Sequence, residues 1–139
     1  MSKRECNYDV AIYLRGDMLD PDLVSAELGI TPSRSQRKGG PKSGNREFLA
    51  KIGIWVLEAK TQSDNLVVLI EELVSKLNVR GSSLLSVSGV DEVYLDVFAS
   101  VLAEEDGGGS LEFELPQSAL QALADIGVPA RFTIVVVKK

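Results

Sequence analysis

The sequence predicts an α+β fold: a two-layer sandwich in which two or three helices cover one face of a mixed or antiparallel sheet of four or five strands. Segments with alternating apolar residues indicate strands, and one segment with apolar residues at helical spacing indicates a packed helix. The two kinds of segment are interleaved along the chain. The 139 residues, of which 45% are hydrophobic and 25% charged, suffice for one domain with a sizeable core.

The first half of the chain is predicted to form a strand, a short helix and a second strand. Alternation in YDVAIYLR indicates the first strand, at residues 8–15. Asp20 followed by Pro21 is typical of a helix start, and Gly29 is well placed to end that helix. Alternation in KIGIWVLEA then indicates a second strand at residues 51–59.

The second half begins with the clearest element, a helix at residues 63–78 whose apolar residues recur at i, i+3, i+4, i+7, i+8 and i+11. Residues 92–102 indicate a long strand that is apolar on both faces and therefore central in the sheet. The remaining predicted elements are a short strand at 111–115, a helix from Pro116 to Gly127 and a final strand at 130–137. These elements are compatible with a ferredoxin-like arrangement, but their strand order stays open.

A basic segment at residues 33–48 separates the first helix from the second strand, and it is predicted to be a flexible loop. Between residues 33 and 46 it reads SRSQRKGGPKSGNR and contains no carboxylate. The net charge of the chain is −5, so the five cations of this segment leave −10 on the rest. Those cations are the candidate binding residues Arg34, Arg37, Lys38, Lys42 and Arg46.

Two interpretations of the basic segment stay open. Its cations and glycine-rich backbone would suit a phosphate group, and Phe48 or Trp55 would supply an aromatic ring on which a nucleic-acid base could stack. Alternatively, the segment is a solvated loop, or it pairs with acidic faces of the same chain. Trp55 lies in the alternating apolar pattern of the second strand, which indicates a core position.

The residue types in the chain exclude several kinds of catalytic site and metal site. The sequence contains no histidine, which excludes Ser-His-Asp and Cys-His nucleophilic machinery and histidine metal ligands. Cys6 is the single cysteine, so there is no intramolecular disulfide and no cysteine metal cluster. For Asp17, Asp20 and Asp22, a helix cap near the positive end of the helix and a divalent metal site are the alternatives. We expect no cofactor and no enzymatic activity.

Charge and hydropathy also bear on location and partners. The longest apolar runs are too short for a signal-peptide core or a membrane span, so a cytoplasmic protein is expected. The acidic body argues against nucleic acid and anionic membranes as partners, and it favours basic ones. The strand at 130–137, if it lies at a sheet edge, would allow two copies to pair as a homodimer.

Four motifs support a resemblance to a known family. They are LDPD (Leu19–Asp22), LGI (Leu28–Ile30), TPSRSQRKGG (Thr31–Gly40) and GIW (Gly53–Trp55). In this order they resemble the bacterial domain-of-unknown-function family 4279, and the closing PQSALQALADIGVPARFTIVV resembles the end of that family. The similarity spans nearly the whole chain. One departure is Gln36, which stands where the family often has an aromatic residue beside the basic pair.

The resemblance implies a small bacterial protein with no established catalytic residues. Some members of the family resemble immunity proteins, which bind and neutralise a toxin. We therefore expect a non-enzymatic protein that binds another protein, with a toxin or effector as that partner. Phosphate or RNA binding by the basic segment is the alternative hypothesis.

Overall fold

The structure is a computed structural model that describes residues 6–42, 45–49, 51–61, 63–77 and 83–138. For residues 6, 41, 42 and 45–49 it describes the backbone alone. The described residues form seven strands, three α-helices and one 3₁₀ turn at Leu84–Ser86. The strands are β1 (Cys6–Gly16), β2 (Arg34–Gln36), β3 (Pro41–Lys42), β4 (Asn45–Leu49), β5 (Gly53–Glu58), β6 (Glu92–Leu102) and β7 (Ala130–Val137). The helices are α1 (Pro21–Leu28), α2 (Leu66–Leu77) and α3 (Gln117–Asp125).

Five of the strands form one open, mixed sheet in the order β2-β5-β1-β6-β7, and β3 and β4 form a separate two-stranded sheet. Within the large sheet, β6 and β7 are parallel and the other neighbours are antiparallel. The predicted α+β class is therefore confirmed. The connectivity differs from a ferredoxin-like fold, because β6 and β7 are direct neighbours instead of being separated by another strand.

All three helices lie on one face of the sheet, so the core is confined to that side. Alternate residues of β1, β5 and β6 point into it, together with the apolar stripes of the helices. The six apolar residues that predicted α2 are all buried there, which confirms that helix. Trp55 is fully buried, as its strand position predicted, and its indole N–H donates to the Ser25 hydroxyl at 3.0 Å.

Local signals set the ends of α1. The Asp20 side chain accepts a hydrogen bond from the Asp22 backbone N–H at 3.0 Å, which confirms the predicted N-cap. Gly29 follows the helix with a φ of 69°, a left-handed conformation that glycine adopts without a steric penalty. Pro21 occupies the first turn, where its missing N–H removes no helical hydrogen bond.

Two predicted elements were wrong. The basic segment at 33–48, predicted to be a loop, contains three strands, because β2 pairs with the otherwise open edge of β5 and β3 pairs with β4. Residues 111–115, predicted to be a strand, form no strand. Their half-buried residues cover the sheet without pairing to it, and the ring of Phe113 stacks on that of Phe132 at a centroid distance of 5.4 Å.

Gly16 marks a close approach of backbone segments at the end of β1. It pairs with Gly53 in the sheet, and its carbonyl accepts a hydrogen bond from the Leu19 N–H at 3.2 Å. A Cβ added to Gly16 would lie 1.9 Å from the carbonyl oxygen of Gly89. Only glycine therefore lets the chain after β1 and the loop before β6 pack together here.

Replacing this glycine should destabilise the fold. We expect Gly16→Ala to lower the free energy of unfolding by about 2 kcal/mol or more, since backbone must move to admit the methyl group. Urea denaturation measures the change. The matched control is Gly109→Ala, where an added Cβ would meet no atom closer than 3.5 Å. Equal unfolding midpoints for the two variants would contradict the prediction.

Candidate functional site

The basic segment packs against the acidic residues at the start of α1. The Arg37 guanidinium contacts the carboxylates of Asp20, at 2.7 Å, and Asp22. The Lys38 ammonium lies 2.7 Å from a carboxylate oxygen of Asp17. The three aspartates considered as a metal site thus each contact a cation of the same chain. No cluster of carboxylates suited to a metal ion occurs among the described residues.

The electrostatic effect of this pairing is mutual. The hydrogen bond from Arg37 holds the pKa of Asp20 below its usual value, and backbone N–H groups of α1 act in the same direction. The same hydrogen bond raises the pKa of Arg37. Both groups are exposed to water, so their attraction contributes little to the free energy of folding. It does hold the basic segment against α1.

The remaining predicted binding residues are placed differently. Arg34 belongs to β2 and points to the helix-free face of the sheet, where it pairs with Glu58 at 3.1 Å. Lys42 lies in β3, and Arg46 and Phe48 lie in β4, but their side chains are outside the described residues. The structure therefore brings Arg37 and Lys38 together at α1 and puts Arg34 on another surface.

The helix-free face carries a row of stacked side chains that come from four of the five strands of the large sheet. The rings of Tyr13 and Tyr94 stack with centroids 5.1 Å apart and planes within 5°. At one end, the Arg34 guanidinium lies 5.4 Å from the centroid of Tyr13 and donates to its hydroxyl; at the other, Arg131 lies 3.9 Å from the centroid of Tyr94. We call these four residues the cation–aromatic row.

Carboxylates neutralise both ends of the row. Arg34 pairs with Glu58, while Arg131 lies 3.2 Å from Glu92. Burial raises the pKa of the Tyr94 hydroxyl, which favours the neutral form of this side chain. The row therefore protects the middle of a sheet face that no helix covers, and its cations are already engaged.

Beside the row lies an open groove of about 720 Å³. It forms because β5 pairs with β1 only from Ala11 to Gly16, which leaves the first half of β1 without a neighbour strand on that side among the described residues. Asp9, Asp96 and Phe98 lie on the floor of this groove. The groove is polar, since hydroxyl, amide and charged side chains line most of it.

Two carboxylates on the groove floor are notable. Asp9 faces Phe98 across the β1–β6 pair, and Asp96 faces Ala11, so the two aspartates are diagonal neighbours on one face of the sheet. Within the described part of the chain, neither forms an ion pair or a side-chain hydrogen bond. Glu58, which also lines the groove, differs because Arg34 neutralises it.

The rim of the groove is a turn at residues 59–61 that one carboxylate of α2 holds. Glu72 accepts hydrogen bonds from the backbone N–H groups of Lys60, at 2.6 Å, and Thr61, at 2.9 Å. Lys76, one helical turn away, lies 3.5 Å from the same carboxylate. Partial burial opposes ionisation of Glu72, but these hydrogen bonds and the charge of Lys76 outweigh it and lower its pKa to about 2.

This arrangement suits recognition by charge and shape. Two adjacent carboxylates can bind a lysine or arginine side chain, and the exposed ring of Phe98 offers an apolar contact beside them. Neither Asp9 nor Asp96 was among the predicted site residues. A usable signal was present, because each is a carboxylate inside a strand whose neighbours are mostly apolar.

Comparison with known proteins bears on the family. The family model described as "Domain of unknown function (DUF4279)" matches residues 4–137. The chain belongs to this family. No curated protein and no solved structure matches it. Within the described segments, no helix combines the length and the apolar character required to cross a bilayer.

The structure explains the DUF4279 motifs on which the resemblance was based. Asp20 and Asp22 of the LDPD motif contact Arg37 of the TPSRSQRKGG motif. Trp55 of the GIW motif packs under α1 through its bond to Ser25. These motifs thus hold α1, the basic segment and β5 together, while the groove carboxylates Asp9 and Asp96 lie outside them.

The free energy of unfolding should depend on the ionisation of Glu72. The pKa of this carboxyl is 4.5 when unperturbed and about 2 in the folded chain, so its contribution is complete above about pH 5 and is lost as the pH falls toward 2. We expect Glu72→Gln to lower the free energy of unfolding at pH 7 by roughly 1–2 kcal/mol.

Urea unfolding at several pH values tests this. The difference between wild type and Glu72→Gln should shrink between pH 5 and pH 2. Glu71→Gln, at the exposed neighbouring position on α2, is the control and should leave both the stability and its pH dependence unchanged. A difference between wild type and Glu72→Gln that stays constant from pH 7 to pH 2 would contradict the proposed role.

Proposed function

We propose that this protein is a non-enzymatic binding protein of the toxin-immunity kind, which neutralises a basic protein by covering part of its surface. The observation that supports this most directly is the pair of carboxylates, Asp9 and Asp96, in an open groove without an ion-pair partner among the described residues. A lysine or arginine from a partner would complete that pair.

The distribution of charge favours a basic partner. The chain has a net charge of −5, and the described cations of the basic segment, Arg34, Arg37 and Lys38, pair with carboxylates of the same molecule. Long-range attraction therefore draws in positively charged proteins and speeds their association. The unpaired carboxylates of the groove then give that attraction a specific place to act.

The surroundings of the groove suit a protein surface as the ligand. Phe98 is 38% exposed beside the two aspartates, and buried aromatic side chains commonly anchor protein interfaces. Lys60, Thr61 and Ser63 line the opposite side and offer hydrogen-bond donors and acceptors. Such a mixture of one aromatic ring, several polar groups and two carboxylates matches the composition of protein interfaces.

The toxin-immunity kind of function rests on two further arguments. Some members of DUF4279 resemble immunity proteins, and the sequence lacks histidine, the commonest general base. Neutralisation by occlusion requires no catalytic group in the neutralising protein, only a surface complementary to the toxin. Phosphate or RNA binding by the basic segment stays a prediction, which none of the described contacts favours.

Removing the groove carboxylates should weaken binding. We expect the double variant Asp9→Asn/Asp96→Asn to bind a tetra-arginine peptide about tenfold more weakly than wild type in calorimetry at low salt. The control is Glu71→Gln/Glu105→Gln, which removes the same charge at exposed positions away from the groove. Equal losses in the two double variants would show that net charge, not the groove, binds the peptide.

A cellular assay tests the function itself. The product of each neighbouring gene is expressed with and without this protein, and we expect one product that arrests growth unless wild type is present. Asp9→Asn/Asp96→Asn should lose this protection, whereas Glu71→Gln/Glu105→Gln should keep it. If no neighbouring product binds the protein or arrests growth, the proposal of toxin immunity fails even if the groove binds the peptide.

A further inference from the structure

β7 is an apolar edge strand: no other strand of the described chain pairs with its outer edge, and on its helix side Phe113 stacks on Phe132. It is last in the strand order, and every residue after Ala130 is exposed. On the helix side, Phe132, Ile134 and Val136 are 40%, 50% and 52% exposed. The helical layer therefore stops short of this strand, although its sequence is as apolar as that of the core strands.

The unpaired backbone groups of β7 can be assigned from its pairing with β6. The Leu95 N–H donates to the Pro129 carbonyl at 2.8 Å, and the Ala103 N–H donates to the Val137 carbonyl at 2.8 Å. Because successive residues of a strand direct their N–H and C=O groups to opposite sides, the odd-numbered residues face β6. Phe132, Ile134 and Val136 therefore direct theirs away from the sheet.

The edge lacks the features that normally prevent strand pairing. Natural edge strands are protected by proline, bulges or charged side chains, and no such residue occurs from Phe132 to Val137. Arg131, at the start of the strand, is engaged with Glu92 and the ring of Tyr94. Phe132–Val137 is thus an exposed, mostly apolar edge whose outward-facing residues have open hydrogen-bonding groups.

We infer that β7 pairs antiparallel with β7 of a second copy of this chain, which joins two five-stranded sheets into one. A two-fold axis perpendicular to the sheet at Ile134 places Ile134 of the two copies opposite each other, and Phe132 opposite Val136 of the second copy. All three outward-facing residues then exchange N–H and C=O hydrogen bonds. This register places the two-fold axis on an outward-facing residue, whereas a shift by two residues would set Ile134 opposite Phe132 of the second copy.

Charge favours a second copy over the basic partner proposed for the groove. The edge offers no carboxylate from Phe132 to Val137, so it cannot attract a cationic protein. In the symmetric pairing, Arg131 lies opposite Val137 of the second copy, Thr133 opposite Val135, and no two like charges face each other.

The first test is the mass in solution. Light scattering or sedimentation should give wild type twice the 15.0 kDa of one chain, falling toward one chain on dilution, because a single strand pair is a small interface. Ile134→Lys should be monomeric with an unchanged circular dichroism spectrum. Leu23→Lys, the same change at an exposed position of α1, should remain dimeric.

The second test fixes the register. Directly opposite residues of a hydrogen-bonded antiparallel pair have Cα atoms about 5.5 Å apart, within the range for a disulfide. In a Cys6→Ser background, Ile134→Cys should form an intermolecular disulfide on mild oxidation, and Leu23→Cys should not. A monomeric wild type, a dimeric Ile134→Lys variant, or equal cross-linking at the two positions would overturn the inference. In the first case, another protein would have to cover β7.

Discussion

The structure depends on one constraint: its sheet is covered by helices on a single face. The core on the helix side holds the large apolar side chains, among them Trp55 and the stripe of α2. The opposite face has no such cover, so its central positions must be stabilised by other means. The cation–aromatic row serves this purpose. The rings of Tyr13 and Tyr94 cover β1 and β6, and the guanidinium groups of Arg34 and Arg131 lie against these rings and pair with carboxylates.

The same constraint leads to the two candidate interaction surfaces. Where β5 ends, the uncovered face and the free half of β1 produce a groove, and Glu72 holds the turn that forms its rim. At the other end of the sheet, the helical layer ends before β7 and leaves a strand exposed on both faces. The groove is polar and acidic, whereas the β7 edge is apolar and uncharged, so the two surfaces differ in the ligands that they suit.

Sequence patterns correctly predicted the elements that are determined by residues close together in the chain. The cap at Asp20 and the stripe of α2 depend on residues a few positions apart, so their chemistry is visible in the sequence. The strands of the basic segment were missed because Arg34–Gln36 becomes a strand only by pairing with β5. The groove was missed for the same reason, since Asp9 and Asp96 are distant in sequence and become neighbours through the register of β1 and β6.

The two proposals also fit together geometrically. The β7 edge and the groove lie on different strands of one sheet, so a dimer joined at β7 would leave both grooves open. From β1 of one copy to β1 of the other the sheet crosses five strand spacings, or about 24 Å at roughly 4.8 Å each. Both grooves would open on the same face, because an axis perpendicular to the sheet does not exchange its faces. A partner with two basic patches at that separation would bind both grooves at once, and its second contact would form at a high effective concentration. Dimerisation at the uncharged edge would thus strengthen recognition in the acidic groove without any residue taking part in both.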